Sequence, residues 1–433
     1  MKYSIITFGC RVNQADSLEV EEELLAAGGI PSDVDCADVV VVNTCSVTAT
    51  ADQGARQTIR RIARQNPSAR VVVTGCYATR QPQDLADLPG VVRIVANQQK
   101  EDVGSVVLNI VSGNESRVPN PDPTTADRFG AGEGACGAVI EPGLAGRTAY
   151  TLRVQTGCDE PCSYCIIPTT RGTGRSRPLE AVMHEVDRVV GAGFKEIAIT
   201  GVHLGSYGRD LAGHENLVGL LRSLDAHPSD TRFRISSLEP MDCTSDLVDL
   251  VWRSGRFAAH FHLPLQHASD RVLAAMRRPY TLRAYANLVD GIREKLPDAA
   301  IGSDVIVGFP GESEHDAELL LDYLTGSPLT HLHVFPYSDR PGTAAAVLPQ
   351  KVSGTAVRDR ARQVRQVGST LTERFRWSQV HTVRPSLTID DGSMVVTDNY
   401  LKVRIPRGRK RNEWVDVRVT AFGDPMVGEV ADS

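Results

Sequence analysis

Cys158, Cys162 and Cys165 stand in the run Cys158-Asp-Glu-Pro-Cys162-Ser-Tyr-Cys165, a CxxxCxxC spacing. Three thiolates so close together can wrap one face of an iron–sulfur cubane. Such clusters usually take four cysteines, so a set of three leaves one iron open to a substrate or cofactor. A structural zinc site needs four ligands, and no histidine or cysteine follows at close spacing to complete one. A second set is scattered. Cys10, Cys45 and Cys76 close the segments TFGC, VNTC and VTGC. Where such segments are parallel strands of one sheet, their ends lie along one edge, and three distant thiols can converge there. The plain alternative is three separately buried cysteines, a common fate for this residue. All three end a strand-like run, two directly after glycine, which favours convergence. Cys136 lies among glycines, and Cys36 and Cys243 lack partners at any ligand spacing.

The elements around these residues belong to a chain of 433 residues, 41% hydrophobic and 23% charged. That is an ordinary globular composition with room for about three domains. Lys plus Arg number 47 against 53 Asp plus Glu, a net charge of -6. The balance excludes a globally basic nucleic-acid binder and leaves open a local basic surface. No run approaches the roughly 18 apolar residues of a membrane span, and MKYSIITFGC lacks the basic-then-apolar order of a secretion signal. Nine cysteines without such a signal argue against a disulfide framework and for thiols kept for metal or redox work. The reading is a cytoplasmic protein that meets no membrane.

Residues 1–115 alternate strand and helix: YSIITFGC, then VNQADSLEVEEELLAAGG; ADVVVVNTC, then TATADQGARQTIRRIARQ; then RVVVTGC and a fourth strand, VVRIVAN. This pattern predicts an open parallel α/β domain. Residues 116–147, rich in Gly, Pro, Asp and Ser, read as a linker. Over 148–372 the strand candidates TLRVQTG, EIAITG, RFRISSLEP, HFHLPLQH, IGSDVIVGFPG and THLHVFPYS alternate with helical segments, which fits a partial (β/α)6 barrel. Polar and special residues cluster at the strand ends, the rim where such barrels do chemistry. In 373–433 the segments SMVVTD, YLKVRIP and WVDVRVTAF predict a small β-barrel.

CxxxCxxC on the first loop of a six-unit barrel resembles the radical S-adenosylmethionine (SAM) superfamily. The resemblance implies an open iron that chelates SAM and an electron that cleaves it to a 5′-deoxyadenosyl radical. It places Tyr164 near the adenine, Gly201 at the SAM amino group, Ser237 and Glu239 at the ribose, and Gly308 on the adenine-contacting strand Val305–Phe309. A bland reading of Glu239 is a solvated carboxylate before Pro240. With the scattered trio Cys10, Cys45 and Cys76 and the terminal barrel, the whole chain resembles the radical SAM methylthiotransferases. The family's fold is the three-domain order above, with two [4Fe–4S] clusters and SAM as cofactors. GCRVNQADS, NTCSVTATAD, GCDEPCSYCIIP, HLPLQHASDRVLAAMRR, DVIVGFPGE and HVFPYSDRPGTAAA look most like the branch that modifies threonylcarbamoyladenosine in tRNA. The isopentenyladenosine branch and the ribosomal-protein aspartate branch are the near alternatives. More distant ones are an iron–sulfur RNA-binding redox sensor and a metal-independent α/β enzyme. Departures from the branch pattern are Asp159, Thr170, Thr173-Gly174 and His267-Ala268, of which His267 is expected to bear on the substrate pocket.

Lys402, Arg404, Arg407, Arg409, Lys410 and Arg411 put six positive charges in ten residues, near Tyr400 and Trp414. Such a patch attracts phosphates, and aromatics stack on bases; alone it would read as a solvated hairpin. The resemblance makes it the family's TRAM domain and the partner a tRNA anticodon stem-loop, with flavodoxin or ferredoxin as electron donor. Arg56, Arg60 and Arg64 share a helix face that meets either solvent or the anticodon stem. Arg171, Arg175 and Arg177 are candidates for substrate phosphates or the SAM carboxylate. His260 and His262 share a strand face, read as packing because no carboxylate accompanies them in sequence.

Overall fold

The computed structural model describes residues 1–113, 139–213 and 215–431. Most of the expected linker 116–147, Cys136 included, lies outside them. The first domain is a five-stranded parallel sheet in the order β2-β1-β3-β4-β5: β1 (Lys2–Thr7), β2 (Ile30–Pro31), β3 (Val39–Thr44), β4 (Arg70–Gly75) and β5 (Val91–Val95). The β-branched run VVVVNT is buried at every position because helices cover both faces. Val39 and Val41 pack with Val20 and Leu24 of the helix Arg11–Ala26. Val40 and Val42 pack with Ile59 and Ile62 of the helix Ala49–Gln65. The two-residue edge strand β2 was not visible in the residue pattern.

The second domain is the partial barrel. Its strands are β6 (Tyr150–Arg153), β9 (Glu196–Thr200), β10 (Arg232–Ile235), β11 (His260–His262), β12 (Ala300–Val307) and β13 (His331–Pro336). They form two parallel trios, β10-β9-β6 and β11-β12-β13, joined through a parallel bridge between Phe233 and Phe257. The hairpin β7 (Gln155–Thr156) and β8 (Arg175–Ser176) braces the loop that carries CxxxCxxC. Strand β11 stops three residues into the expected HFHLPLQH, because Pro264 has no amide to donate to a ladder. Along β12, Ile301, Val305 and Val307 pack under the outer helices. Gly302, Asp304 and Ile306 therefore face the lumen. Leu18 of the helix Arg11–Ala26 joins the barrel's core, so the first domain docks along the β6 side.

The helix Gly354–Gln379 carries Ala361, Val364, Gly368, Leu371 and Phe375 buried at alternating spacings of three and four. The stripe runs through the expected domain boundary at 372, so the helix continues to Gln379, where Phe375 enters the core of the third domain. That domain is a closed five-stranded barrel, β14-β15-β16-β18-β17, of β14 (Val383–Ile389), β15 (Met394–Thr397), β16 (Lys402–Arg404), β17 (Trp414–Ala421) and β18 (Met426–Val430). Two of its strands, β14 and β18, complete the three expected from sequence. No helix among the described residues is long and apolar enough to cross a membrane.

Candidate functional site

Cys10 follows β1, Cys45 follows β3 and Cys76 follows β4, three adjacent strands of one parallel sheet. Thr7 pairs with Asn43, and Thr44 with Gly75, so the three strands end level and the thiols leave one edge together. Glycine makes the approach possible. A Cβ on Gly9, whose φ is +93°, would lie 2.7 Å from the Cys45 sulfur. One on Gly75, whose φ is +98°, would lie 2.2 Å from the carbonyl oxygen of Thr44. Cys45 and Cys76 are buried, while Cys10 opens to solvent at the N-terminus of the helix Arg11–Ala26. Burial pushes the Cys45 thiol up to about 12, with Cys76 and Cys10 adding to it. At Cys76 burial also opposes the thiolate, but Arg171 and Lys100 outweigh it and hold the thiol below its usual range.

Beneath this trio lies a buried ionic network that crosses the domain boundary. Asp16, whose side chain is 0% exposed, accepts from Lys100 at 2.5 Å, Arg153 at 2.6 Å and Arg171 at 2.7 Å. Three cations around one carboxylate hold Asp16 far below the usual carboxylate range despite burial. Arg171 also donates to Asn13 Oδ1 at 2.6 Å, and Arg177 pairs with Glu19 at 2.6 Å. Arg171 and Arg177 therefore bind the barrel to the first domain and are not spare groups for substrate phosphates or the SAM carboxylate. Their chain positions beside CxxxCxxC gave no sign of this, because both partners sit in another domain.

Cys158, Cys162 and Cys165 are half-buried on the loop after β7. Arg278 Nη1 donates to the Cys162 sulfur at 3.1 Å, and the same guanidinium is ion-paired with Glu239. Glu239 is thus a partnered carboxylate at the barrel rim, not a solvated one. His203 bonds Asp242 Oδ2 through Nε2 at 2.7 Å, and Cys158 also acts on the ring. Burial disfavours its imidazolium, but Asp242 and Cys158 raise it to about 10. A cation therefore faces each of two thiols in this trio. Sequence reasoning missed Arg278, His203 and Asp242; the only hint was Arg278 inside HASDRVLAAMRR.

Tyr164 packs against a cluster containing Ile306, Phe309, Phe335 and Tyr337 on the lumen side, so Tyr164 and the segment Val305–Phe309 come together. Gly201 sits where a Cβ would lie 3.0 Å from Gln155, leaving the end of β9 open only to backbone approach. Ser237 is exposed two residues past β10. The Gly308 amide is taken by Glu312 Oε2 at 2.5 Å, and that of Phe309 by the same oxygen at 3.0 Å. His267 is fully buried and accepts from the Ser269 amide at 3.0 Å. Burial lowers it to about 4, so it is a neutral group enclosed by protein. His260 and His262 do have a carboxylate companion, Asp304 of β12, which bonds His262 Nε2 at 2.8 Å.

On the third domain Lys402, Arg404, Arg407, Arg409 and Lys410 are exposed, and Arg411 is half-buried. Among the described residues none of the six lies in a salt bridge. Trp414 lies 4.4 Å beneath the Arg232 guanidinium. Arg60 and Arg64 are exposed, whereas Arg56 turns onto the ring of Tyr77.

Comparison with known proteins follows the same division. Residues 2–97 match the Uncharacterized protein family UPF0004, and residues 152–324 match the Radical SAM superfamily. The chain is 35% identical to the threonylcarbamoyladenosine tRNA methylthiotransferase MtaB of Bacillus subtilis, over 92% of this chain and 88% of that one. It is 35% identical to the protein of the same name in Aquifex aeolicus, over 93% and 96%. The ribosomal protein uS12 methylthiotransferase RimO of Symbiobacterium thermophilum is 35% identical over 84% and 75%. In fold it is similar to the radical SAM methyltransferase TsrM of Kitasatospora setae, with a TM-score of 0.56 at 16% identity, covering 80% of this chain and 77% of that one. The fold and the sulfur-bearing rim are those of a radical SAM enzyme. The chain belongs to the radical SAM methylthiotransferases, a family that works with [4Fe–4S] clusters and SAM. The donor sets fit such clusters: each is a trio of soft thiols, with cations at hand to favour the thiolate.

Proposed function

We propose that this protein adds a methylthio group to C2 of N6-threonylcarbamoyladenosine, next to the anticodon of a tRNA. The observation that carries the reading is the convergence of Cys10, Cys45 and Cys76 on one sheet edge, beside a second trio at the barrel rim. One trio would serve an ordinary radical SAM enzyme. Two match a reaction with two tasks, breaking an inert C–H bond and delivering sulfur. Cys158, Cys162 and Cys165 would hold the cluster that binds SAM, and Cys10, Cys45 and Cys76 the second. Reductive cleavage of SAM supplies the hydrogen abstraction that acid–base catalysis cannot.

The chain's own residues bind and orient. Arg278 opposes the rise that burial imposes on the Cys162 thiol and fixes the Glu239 carboxylate beside it, which would accept from the ribose hydroxyls. Tyr164, Ile306 and Phe309 form an apolar wall suited to an adenine ring. On the other trio Arg171 offsets the charge that three thiolates bring into a buried site. Lys402, Arg404, Arg407, Arg409, Lys410 and Arg411 attract the phosphates of the stem-loop. The work belongs in the cytoplasm, with a flavodoxin- or ferredoxin-like electron donor.

The test is mass spectrometry of nucleosides after anaerobic incubation of the reconstituted protein with SAM, a reductant and tRNA carrying threonylcarbamoyladenosine. A methylthio product that disappears in Cys10→Ala supports the reading. SAM cleavage without product overturns the substrate and keeps the enzyme class.

A further inference from the structure

The barrel lumen holds a group of charged and aromatic residues that the reading above does not use. Arg11, directly after Cys10, reaches out of the first domain and donates from Nη2 to the Tyr400 hydroxyl of the third domain at 2.7 Å. Two guanidinium groups lie against the Tyr400 ring, Arg234 at 4.7 Å and Arg11 at 5.4 Å. Tyr400 presents that ring from a left-handed backbone, φ +71°, a conformation that costs energy in a residue with a side chain. Its other neighbour is His260 at 4.7 Å, the first of four lumen histidines from β11 and β13. Of these, His262 and His333 both bond Asp304 Oδ1, at 2.8 and 3.0 Å.

This group connects to the segments that carry both thiol trios. Asp304 and Ile306 share the lumen face of β12, and His333 and Phe335 that of β13. Ile306 and Phe335 pack with Tyr164 of the CxxxCxxC loop. At its other side the group ends on Arg11, one residue from Cys10.

Its charge is unbalanced. Arg11 and Arg147 act on each other electrostatically, and among the described residues neither has a carboxylate within salt-bridge distance. Arg147 Nη1 donates to the neutral Gln14 Oε1 at 2.9 Å. The acid in the group, Asp304, is already shared between two histidines, and its hydrogen bond holds His333 toward the charged form. A guanidinium pinned on an aromatic shelf, with a second near enough to act on it electrostatically, offers charged donors to a carboxylate.

We propose that Arg11, flanked by Arg147 and His333 on the Tyr400 shelf, reads a carboxylate carried by the N6 substituent of the substrate adenosine. The proposal rests on the function proposed above and names how that substrate is told apart. In adenine, C2 and N6 flank N1 on one edge of the ring. A base whose C2 faces the thiols presents its N6 substituent on the same edge, and in the orientation proposed here that edge runs toward the residue after Cys10. The threonyl group brings a carboxylate there. An isopentenyl group brings none and leaves both guanidiniums unpaired.

The test compares wild type with Arg11→Gln and Arg11→Lys on three stem-loop RNAs. One carries N6-threonylcarbamoyladenosine, one its carboxamide analogue, and one N6-isopentenyladenosine. KM and kcat come from product mass spectrometry, and equilibrium affinity from fluorescence anisotropy, which needs no turnover. Glutamine keeps a donor for the Tyr400 hydroxyl but removes the charge. Wild type should favour the acid over the carboxamide by about tenfold in KM and affinity, as expected for a charge-assisted pair. Arg11→Gln should lose that ratio with a smaller change in kcat, and Arg11→Lys should keep part of it. If Arg11→Gln loads less iron, Arg147→Ala and His333→Gln, which adjoin no cysteine, must narrow the same ratio. An unchanged ratio in all variants, or an equal loss of affinity for all three RNAs, overturns the carboxylate site. Failure of the substrate reading looks different: wild type would then modify the isopentenyl RNA and leave the threonylcarbamoyl RNA untouched.

Discussion

The two cysteine trios solve one chemical problem by opposite means. Cys158, Cys162 and Cys165 lie within one loop, so chain connectivity alone keeps them together, and their surroundings stay inside the barrel: Arg278, Glu239, His203 and Asp242. Cys10, Cys45 and Cys76 share no local segment. They meet because three parallel strands end level, and of the two cations acting on Cys76, Lys100 and Arg171, the second comes from another domain and is held by Asp16. A local trio can tolerate movement of its neighbours. An assembled trio depends on sheet register and domain docking together, so the geometry of its thiols is coupled to overall stability at one site and separable from it at the other.

The largest effects should come from the thiols. Cys158→Ala should abolish both SAM cleavage and product, whereas Cys45→Ala should abolish product and leave SAM cleavage intact; 5′-deoxyadenosine and methylthio nucleoside are measured side by side. Equal loss of SAM cleavage in both variants would break the division of labour.

Next in size is the difference between the supporting ion pairs. Asp16→Asn leaves Lys100, Arg153 and Arg171 buried without their shared carboxylate and should cost about 3–5 kcal/mol in denaturant unfolding. Arg278→Met strands Glu239, which is partly open to water, and should cost about 1 kcal/mol, with its main effect a higher KM for SAM. Similar stability losses would mean that the two sites are supported alike.

The smallest effect is a pH dependence confined to the docking helix. Glu22, on the helix that starts beside Cys10, pairs with Arg188 at 2.8 Å and accepts from Tyr150 at 3.0 Å. Burial pushes it up to about 7; Arg188 opposes the shift and Glu185 adds to it. The folded chain thus holds a proton that the unfolded chain has lost between about pH 4.5 and 7, so stability falls as pH rises through that window and levels off above it. Burial pushes the neighbouring Glu23 up to about 7 as well, so Glu22→Gln should reduce the slope in unfolding midpoints taken across about pH 5 to 8, and Glu22→Gln with Glu23→Gln should reduce it further. Iron loading at Cys158, Cys162 and Cys165 should not follow it.

Much of this architecture was legible in the residues, because its signals are local or periodic. The run VVVVNT marks a strand buried on both faces, and cysteines at strand ends can only converge if the strands are parallel neighbours. CxxxCxxC carries its geometry in its spacing. The terminal barrel was half legible: β14 and β18 have no turn chemistry strong enough to announce them, and the boundary placed at 372 ignored a buried stripe that runs to Phe375. His267 was left open by the residues because a histidine in place of a small residue reads the same whether it faces a ligand or the core. The structure encloses it completely in protein.

By itself, the sequence determined which thiols could act together, six in two sets, and the strands that carry them. These follow from the reach of covalent neighbours and the two-residue period of a strand. Only the tertiary structure decided which charges accompany them. Arg171 finds Asp16 across 155 positions, Arg278 finds Glu239 across 39, and Arg11 finds Tyr400 across 389. Such a pairing requires proximity and is indifferent to chain separation, so no spacing rule could have named those partners.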